Sequence, residues 1–421
     1  MLPFRLLAAL LLAATPAFAL QRPAAEAPAP ALELRGGLWF DGERFSPGSW
    51  YSIDGRLTAS RPERIDAVLD LTGRFILPSL IEAHNHDAQS GRFGAISNAK
   101  NMHAGIFHSI QLCSRPSARE DYGGFFGQPG MMTVRYAEAC LSAADGHPLG
   151  IALASSRQFG IEMEPAEARR FYDPVDTLAD LDRLWPELLE RRPRLIKIIL
   201  INSERRAQEL ADPSTFGFRG IDPALVVPIV ERAHRAGIRV VAHADTAADF
   251  AIAVRAGADI IAHLPGYRIA PGMNAANYRL SDAIVAEAAR RGTIVITTAG
   301  VARHDMARRP ENAATLQALQ RENLRLLRDA GVTLALGSDD VMGTVVDELV
   351  YLDGLGIFPR GELLRRATAD TARAMFPEAA IGRFAEGAEA NLLAFDGDPT
   401  VDIEILRRPV LRVQRGMVLG R

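Results

Sequence analysis

Cysteine is nearly absent: Cys113 and Cys140 are the only two in 421 residues. Two thiols cannot build a disulfide-rich scaffold or a cysteine-type zinc site. They leave one disulfide or two buried free thiols, and the sequence does not choose between them. An excess of one charge is also lacking. Lys and Arg total 48 against 51 Asp and Glu, a formal net charge of −3, so the balance points to no nucleic acid and no other polyanion. No solenoid-type repeat occurs, and no glycine-rich phosphate loop follows an early strand, which weakens a nucleotide-binding open sheet.

The longest uninterrupted apolar stretch lies at the N-terminus, and it is too short for a comfortable membrane span. MLPFRLLAALLLAATPAFA carries Arg5, then an apolar core, then Ala17-Phe18-Ala19. This is the layout of a cleavable signal peptide over residues 1–19, with cleavage expected after Ala19. The Pro/Ala-rich residues 20–31 read as a flexible leader. The expected location is periplasmic or secreted, and the absence of cysteine after the signal argues against a lipid anchor.

A 48% hydrophobic chain of this length supports a large core. Nearly continuous apolar runs, LIKIILI (195–201), IRVVAHA (238–244), ADIIAHL (258–264), TIVITTA (293–299) and VTLALGS (332–338), alternate with helical patterns. Runs of this kind belong to parallel strands buried on both faces. Four of them follow Gly237, Gly257, Gly292 or Gly331, the residue type that closes a preceding helix. Asp222-Pro223 reads as an N-cap with proline at the first helical position, and residues 311–330 and 360–377 have helical periodicity. The fold class predicted is α/β: a (β/α)8 barrel over residues 77–382, with a doubly wound sheet as the rival. Short β-prone runs and Asp-Gly turns at 32–76 and 383–421 predict a small β-sandwich made by both chain ends.

The chemistry is carried by what ends the strands. FILPSLIEAHNHD closes on His84 and His86, which alternation puts on one side of a strand. Gly237-Ile-Arg-Val-Val-Ala-His243 is echoed by Gly257-Ala-Asp-Ile-Ile-Ala-His263, so successive units present histidines at equivalent heights. Asp339 closes LALGSD, and Lys197 is the lone charge within LIKIILI. Each alone is an ordinary rim or capping residue. Together, at the strand ends of a barrel, they are a nitrogen and oxygen donor set for a divalent cation.

This pattern resembles the amidohydrolase superfamily of metal-dependent hydrolases, in its imidazolonepropionase or Xaa-Pro dipeptidase-like branch. The resemblance implies one or two divalent ions, zinc by expectation, held by His84, His86, Lys197, His243, His263 and Asp339, with Lys197 carboxylated and bridging if two are bound. It implies a bridging hydroxide that cleaves an amide or peptide-like C–N bond of a small molecule, with Asp339 moving the proton. Three features depart from the family pattern: Ser79 after Pro78, Glu82 where aspartate is usual, and Asn391 in the late Ala-Asp motif. Tyr267, Arg268 and His304 lie on loops that could meet substrate, whereas His103, His108, His147 and His234 read as structural. The alternatives are a lactonase, esterase or phosphotriesterase on the same metals, or a binding protein that has lost its chemistry. A homo-oligomer fits the composition as well as a monomer does.

Overall fold

The computed structural model describes residues 29–421 except 89–90, 115–123, 138, 159, 161, 342 and 421, so the expected signal peptide and most of the leader lie outside the described residues. Eight successive strands form the central barrel: β1 (Leu80–Asn85), β2 (Ile106–Gln111), β3 (Thr133–Tyr136, continued as Ala139–Ser142), β4 (Leu195–Leu200), β5 (Arg239–Ala244), β6 (Ile260–Ala262), β7 (Ile294–Ile296) and β8 (Thr333–Ala335). Neighbours pair in parallel, from β1·β2 and β2·β3 through β3·β4 to β7·β8. The ring closes between its first and last members, where Ala83 N donates to Leu336 O (3.0 Å) and Asp339 N to His84 O (2.8 Å).

Alternation along β4 shows how the sequence builds the two layers. Ile196, Ile198 and Leu200 join the outer core with Val226, Ile229 and Val230 of the helix Val226–Arg235, while Leu195 joins the inner core with Val241 and Ile260. Lys197 therefore points into the barrel, toward its carboxyl-terminal mouth. Gly257 and Gly292 cap helices in the left-handed conformation, at φ 88° and 68°, as their positions before strands imply. Two helices differ from expectation. Asp222-Pro223 opens a short 3-10 turn (Pro223–Leu225) before the α-helix begins. The 360–377 segment is broken by a π turn, Arg366–Asp370. There Thr371 Oγ1 donates to Arg366 O (2.6 Å) and accepts from Leu336 N (2.9 Å), so a side chain inserted in the helix ladder docks it onto the end of β8.

Strands from both chain ends form two further sheets. Phe75–Pro78 pairs in antiparallel with Leu392–Phe395 and in parallel with Leu38–Phe40. The second sheet contains Leu32–Arg35, Trp50–Ile53, Arg56–Thr58 and Ala67–Asp70. Leu34, Trp39, Leu57, Ile76, Leu392 and Val413 fill the space between the sheets. No helix among the described residues is long and apolar enough to cross a membrane. Cys113 and Cys140 are joined in a disulfide.

His108, on β2, is 3% exposed against the Phe376 ring (5.4 Å between centroids), with Glu389 Oε2 at 3.7 Å from Nε2. Burial pushes its imidazole down to about 4, and the Glu389 carboxylate only partly opposes this. An unfolded chain takes up that proton near pH 6.5. The native state binds fewer protons below that point, so stability falls as pH drops from about 6.5 toward 4. Between pH 7 and pH 5, wild type is expected to lose about 2 kcal/mol more than His108→Phe in urea unfolding. Equal losses in the two proteins would show that this ring is not held neutral by burial.

Candidate metal centre

The centre is assembled at the barrel seam. Glu82 of β1, fully buried, accepts from Ser338 N (2.8 Å), Ser338 Oγ (2.8 Å) and His84 N (3.1 Å). Asn85 adds a bond from Nδ2 to Ser338 Oγ (2.9 Å). These contacts fix the end of β1 against the end of β8. As a result, Nε2 of His84 and Nε2 of His86 lie 3.1 Å apart and both face Asp339 Oδ1, at 3.3 and 3.1 Å. His263 joins from β6: one donor atom each of His84, His263 and Asp339 lies within 4.8 Å of the others.

Electrostatics keep these groups in ligand form. Burial pushes the His84 and His263 imidazoles well below their usual range; Lys197 and the neighbouring histidines add to it, and Asp339 opposes in part at His263. Burial raises the Asp339 carboxyl, but His263, His86 and Lys197 outweigh it and hold the group ionised. Lys197, 1% exposed, is driven down to about 7 by burial, with Asp339 opposing in part. Imidazoles gathered around one carboxylate, with a lysine close to its amine form beside them, fit a divalent cation with N/O preference.

His243 completes the row, 4.3 Å from His263 between ring centroids. Its Nε2 lies 2.7 Å from Asp245 Oδ1. A carboxylate accepting there leaves Nδ1 as the nitrogen with a free lone pair. Asp245 is 1% exposed and is also held by the Tyr267 hydroxyl and by Arg268, whose Nε donates at 3.2 Å. Burial alone would raise its carboxyl; Arg268 and His243 outweigh that and hold it far below the usual range. Tyr267 stands beside the centre, 5.2 Å from the His263 ring. Arg268 reaches the same corner, but its guanidinium is matched to Asp245. His304 is not brought into the row: it lies 59% exposed and pairs with Asp340 at 3.2 Å.

His147 lies nearer the centre than the other histidines read as structural. The sequence reading leaves it among the structural histidines. Its ring packs 5.5 Å from the His243 ring, and desolvation with His243 beside it pushes its imidazole down to about 3. His103 and His234 do lie elsewhere, against Arg412 and Asp259. The missed residues nearest the centre are thus His147, Asp245 and Glu82; only the buried-strand position of Glu82 carried a signal.

Backbone conformation marks the same mouth. Cys113, Asn202, His263, Thr298 and Asp339 all have positive φ, and each stands where a barrel strand has just ended. Asparagine and aspartate tolerate this region, but a β-branched residue such as Thr298 rests there only where its surroundings over-determine it.

A closed eight-stranded barrel with imidazoles and a carboxylate gathered at its carboxyl-terminal mouth defines the class: a (β/α)8-barrel protein with a His/Asp centre at the strand ends. The Amidohydrolase family model matches residues 75–421, and the chain belongs to that family. Ochratoxinase of Aspergillus niger is 28% identical over 204 residues, which is 46% of this chain and 39% of that protein, so the chain spans well under half the length of the curated relatives it matches. A Xaa-Pro dipeptidase structure with bound methionine aligns at TM-score 0.71 and 18% identity, covering 93% of this chain and 100% of the other. The A. niger ochratoxinase structure aligns at TM-score 0.71 and 19% identity, covering 93% and 96%. At such identities these likenesses speak for the fold.

Proposed function

We propose that the protein is a metal-dependent hydrolase cleaving an amide or peptide-like C–N bond, with dipeptides as its substrate class. The observation that carries this reading is the convergence of His84, His86, His263 and the ionised Asp339 beside a buried Lys197. His84, His86 and Asp339 would hold one zinc-like ion, and His243 and His263 a second, with carboxylated Lys197 between them. When bound, the cation supplies a Lewis acid for the scissile carbonyl and acidifies water. Asp339 takes the proton of the attacking water and returns it to the leaving nitrogen. Tyr267 and His147 line the side where Asp245 anchors Arg268. The amide preference is supported by relatives named as dipeptidase and ochratoxinase.

Export to the periplasm or beyond belongs to the same proposal. The signal-like N-terminus supports it, as does the Cys113–Cys140 disulfide, since such bonds persist in oxidising compartments.

Elemental analysis of the purified protein should find one to two zinc-like ions per chain. Chelation should abolish hydrolysis and lower the melting temperature, because an ion bound only by the native state stabilises it. A dipeptide library assayed beside lactones and aryl esters identifies the bond cleaved. Full activity with less than about a tenth of an ion per chain would end the metal reading.

A further inference from the structure

The loop after β7 is held by a carboxylate from another element. Glu348 lies in the first turn of the helix Val345–Leu355 and is 1% exposed. It does not serve its own helix, whose capping box is made by Thr344 and Asp347. Its acceptors point at β7 instead. Oε1 accepts from Thr297 Oγ1 (2.5 Å) and Ala299 N (2.9 Å), and Oε2 accepts from Gly300 N (2.6 Å). Arg303 flanks the loop through Gly300 O at 3.1 Å, and Gln320 holds Ala299 O at 3.0 Å.

Thr298 sits between these anchors at φ 39°. A β-branched residue does not rest there unless both neighbours are held. In that conformation its Oγ1 lies 2.9 Å from His263 Nδ1. The same Nδ1 lies 3.6 Å from Asp339 Oδ2, so the Thr298 contact fixes how the ring is turned toward the carboxylate of the centre.

We propose that Glu348 is a positioning residue for the metal centre, acting through Thr298 on His263. The inference rests on the metal-dependent reading above. Among the described residues Glu348 bonds to no candidate ligand; it holds the residues on either side of the strained Thr298, which orients one of them. Gly300 belongs to the device, since a Cβ there would lie 2.9 Å from Glu348 Oε2 and displace the carboxylate.

The test is the zinc affinity of metal-stripped protein, measured by competition with a chromophoric chelator, with circular dichroism as the control for folding. Glu348→Gln puts an amide NH2 where an acceptor is needed and should weaken zinc binding roughly 10- to 100-fold, the range for groups that orient metal ligands. Thr298→Val should give a similar loss, and excess zinc should restore most of kcat to both. Folded Glu348→Gln with wild-type zinc affinity overturns the proposal. If that variant does not fold, Gly300→Ala decides: weakened zinc binding supports the proposal and unchanged binding overturns it. Wild-type protein that binds no divalent ion would instead sink the metal-dependent reading, and this inference with it.

Discussion

Replacing Asp339 by Asn is expected to lower kcat by roughly 10²–10⁴, the range for loss of a positioned acid–base group. The substitution suits the site sterically. Asp339 has φ 48°, a conformation that asparagine tolerates nearly as well as aspartate. The amide keeps one neutral oxygen acceptor, but it cannot take up a proton and carries no negative charge. Asp340 is the control. It pairs with the exposed His304 rather than with His84 and His86, so Asp340→Asn should leave kcat within a few-fold of wild type. The reverse outcome, a crippled Asp340→Asn beside a healthy Asp339→Asn, would move the proton-transfer role one residue along.

Lys197→Ala should be the other severe variant, losing metal and activity together. Inside the barrel an ammonium has little to compensate its lost hydration, which is why burial brings it to about 7. The amine form is the nucleophile toward CO2. In the proposed carboxylation nitrogen would bond to carbon, a proton would leave nitrogen, and the carbamate would carry one negative charge on oxygen. Asp339, His84, His243 and His263 all sense the charge of Lys197, so a group attached there stands among them. Arginine could not replace it, since it stays protonated and accepts no hydrogen bond. Adding short carboxylic acids to Lys197→Ala should restore part of both metal content and turnover. A mutant with normal metal and normal turnover would return Lys197 to a packing role.

The parts of the centre that sequence exposes are those governed by a single rule. A histidine or aspartate that ends an apolar strand is read from periodicity alone, which is why His84, His243, His263 and Asp339 stand out. Lys197 stands out for the opposite reason, as a charge where the pattern demands an apolar residue. The parts that stay hidden depend on loops returning to the mouth. Asp245 precedes a helix and looks like one more capping candidate, yet Thr246 is the cap and Asp245 turns inward to His243. His147 is brought back by a loop whose course no periodicity encodes. Glu82 reads as a family departure, and only the pairing of β1 with β8 shows what its extra methylene reaches. The π turn at Arg366–Asp370 interrupts a pattern that is helical throughout, because the cause is a contact with Leu336 some thirty residues earlier.

The closure of the barrel has a consequence for how the molecule matures. The seam joins Glu82 and His84 to Ser338 and Asp339, about 255 residues apart in the chain. During synthesis the early half-site emerges long before its partner, so the nascent protein passes most of its assembly with two histidines and no carboxylate to complete them. A cation held by His84, His86 and Asp339 would be captured only by a chain whose last barrel strand has docked on its first. Uptake of that ion would then report that the ring has closed, and a chain truncated before Thr333 should lack the ion assigned to His84, His86 and Asp339.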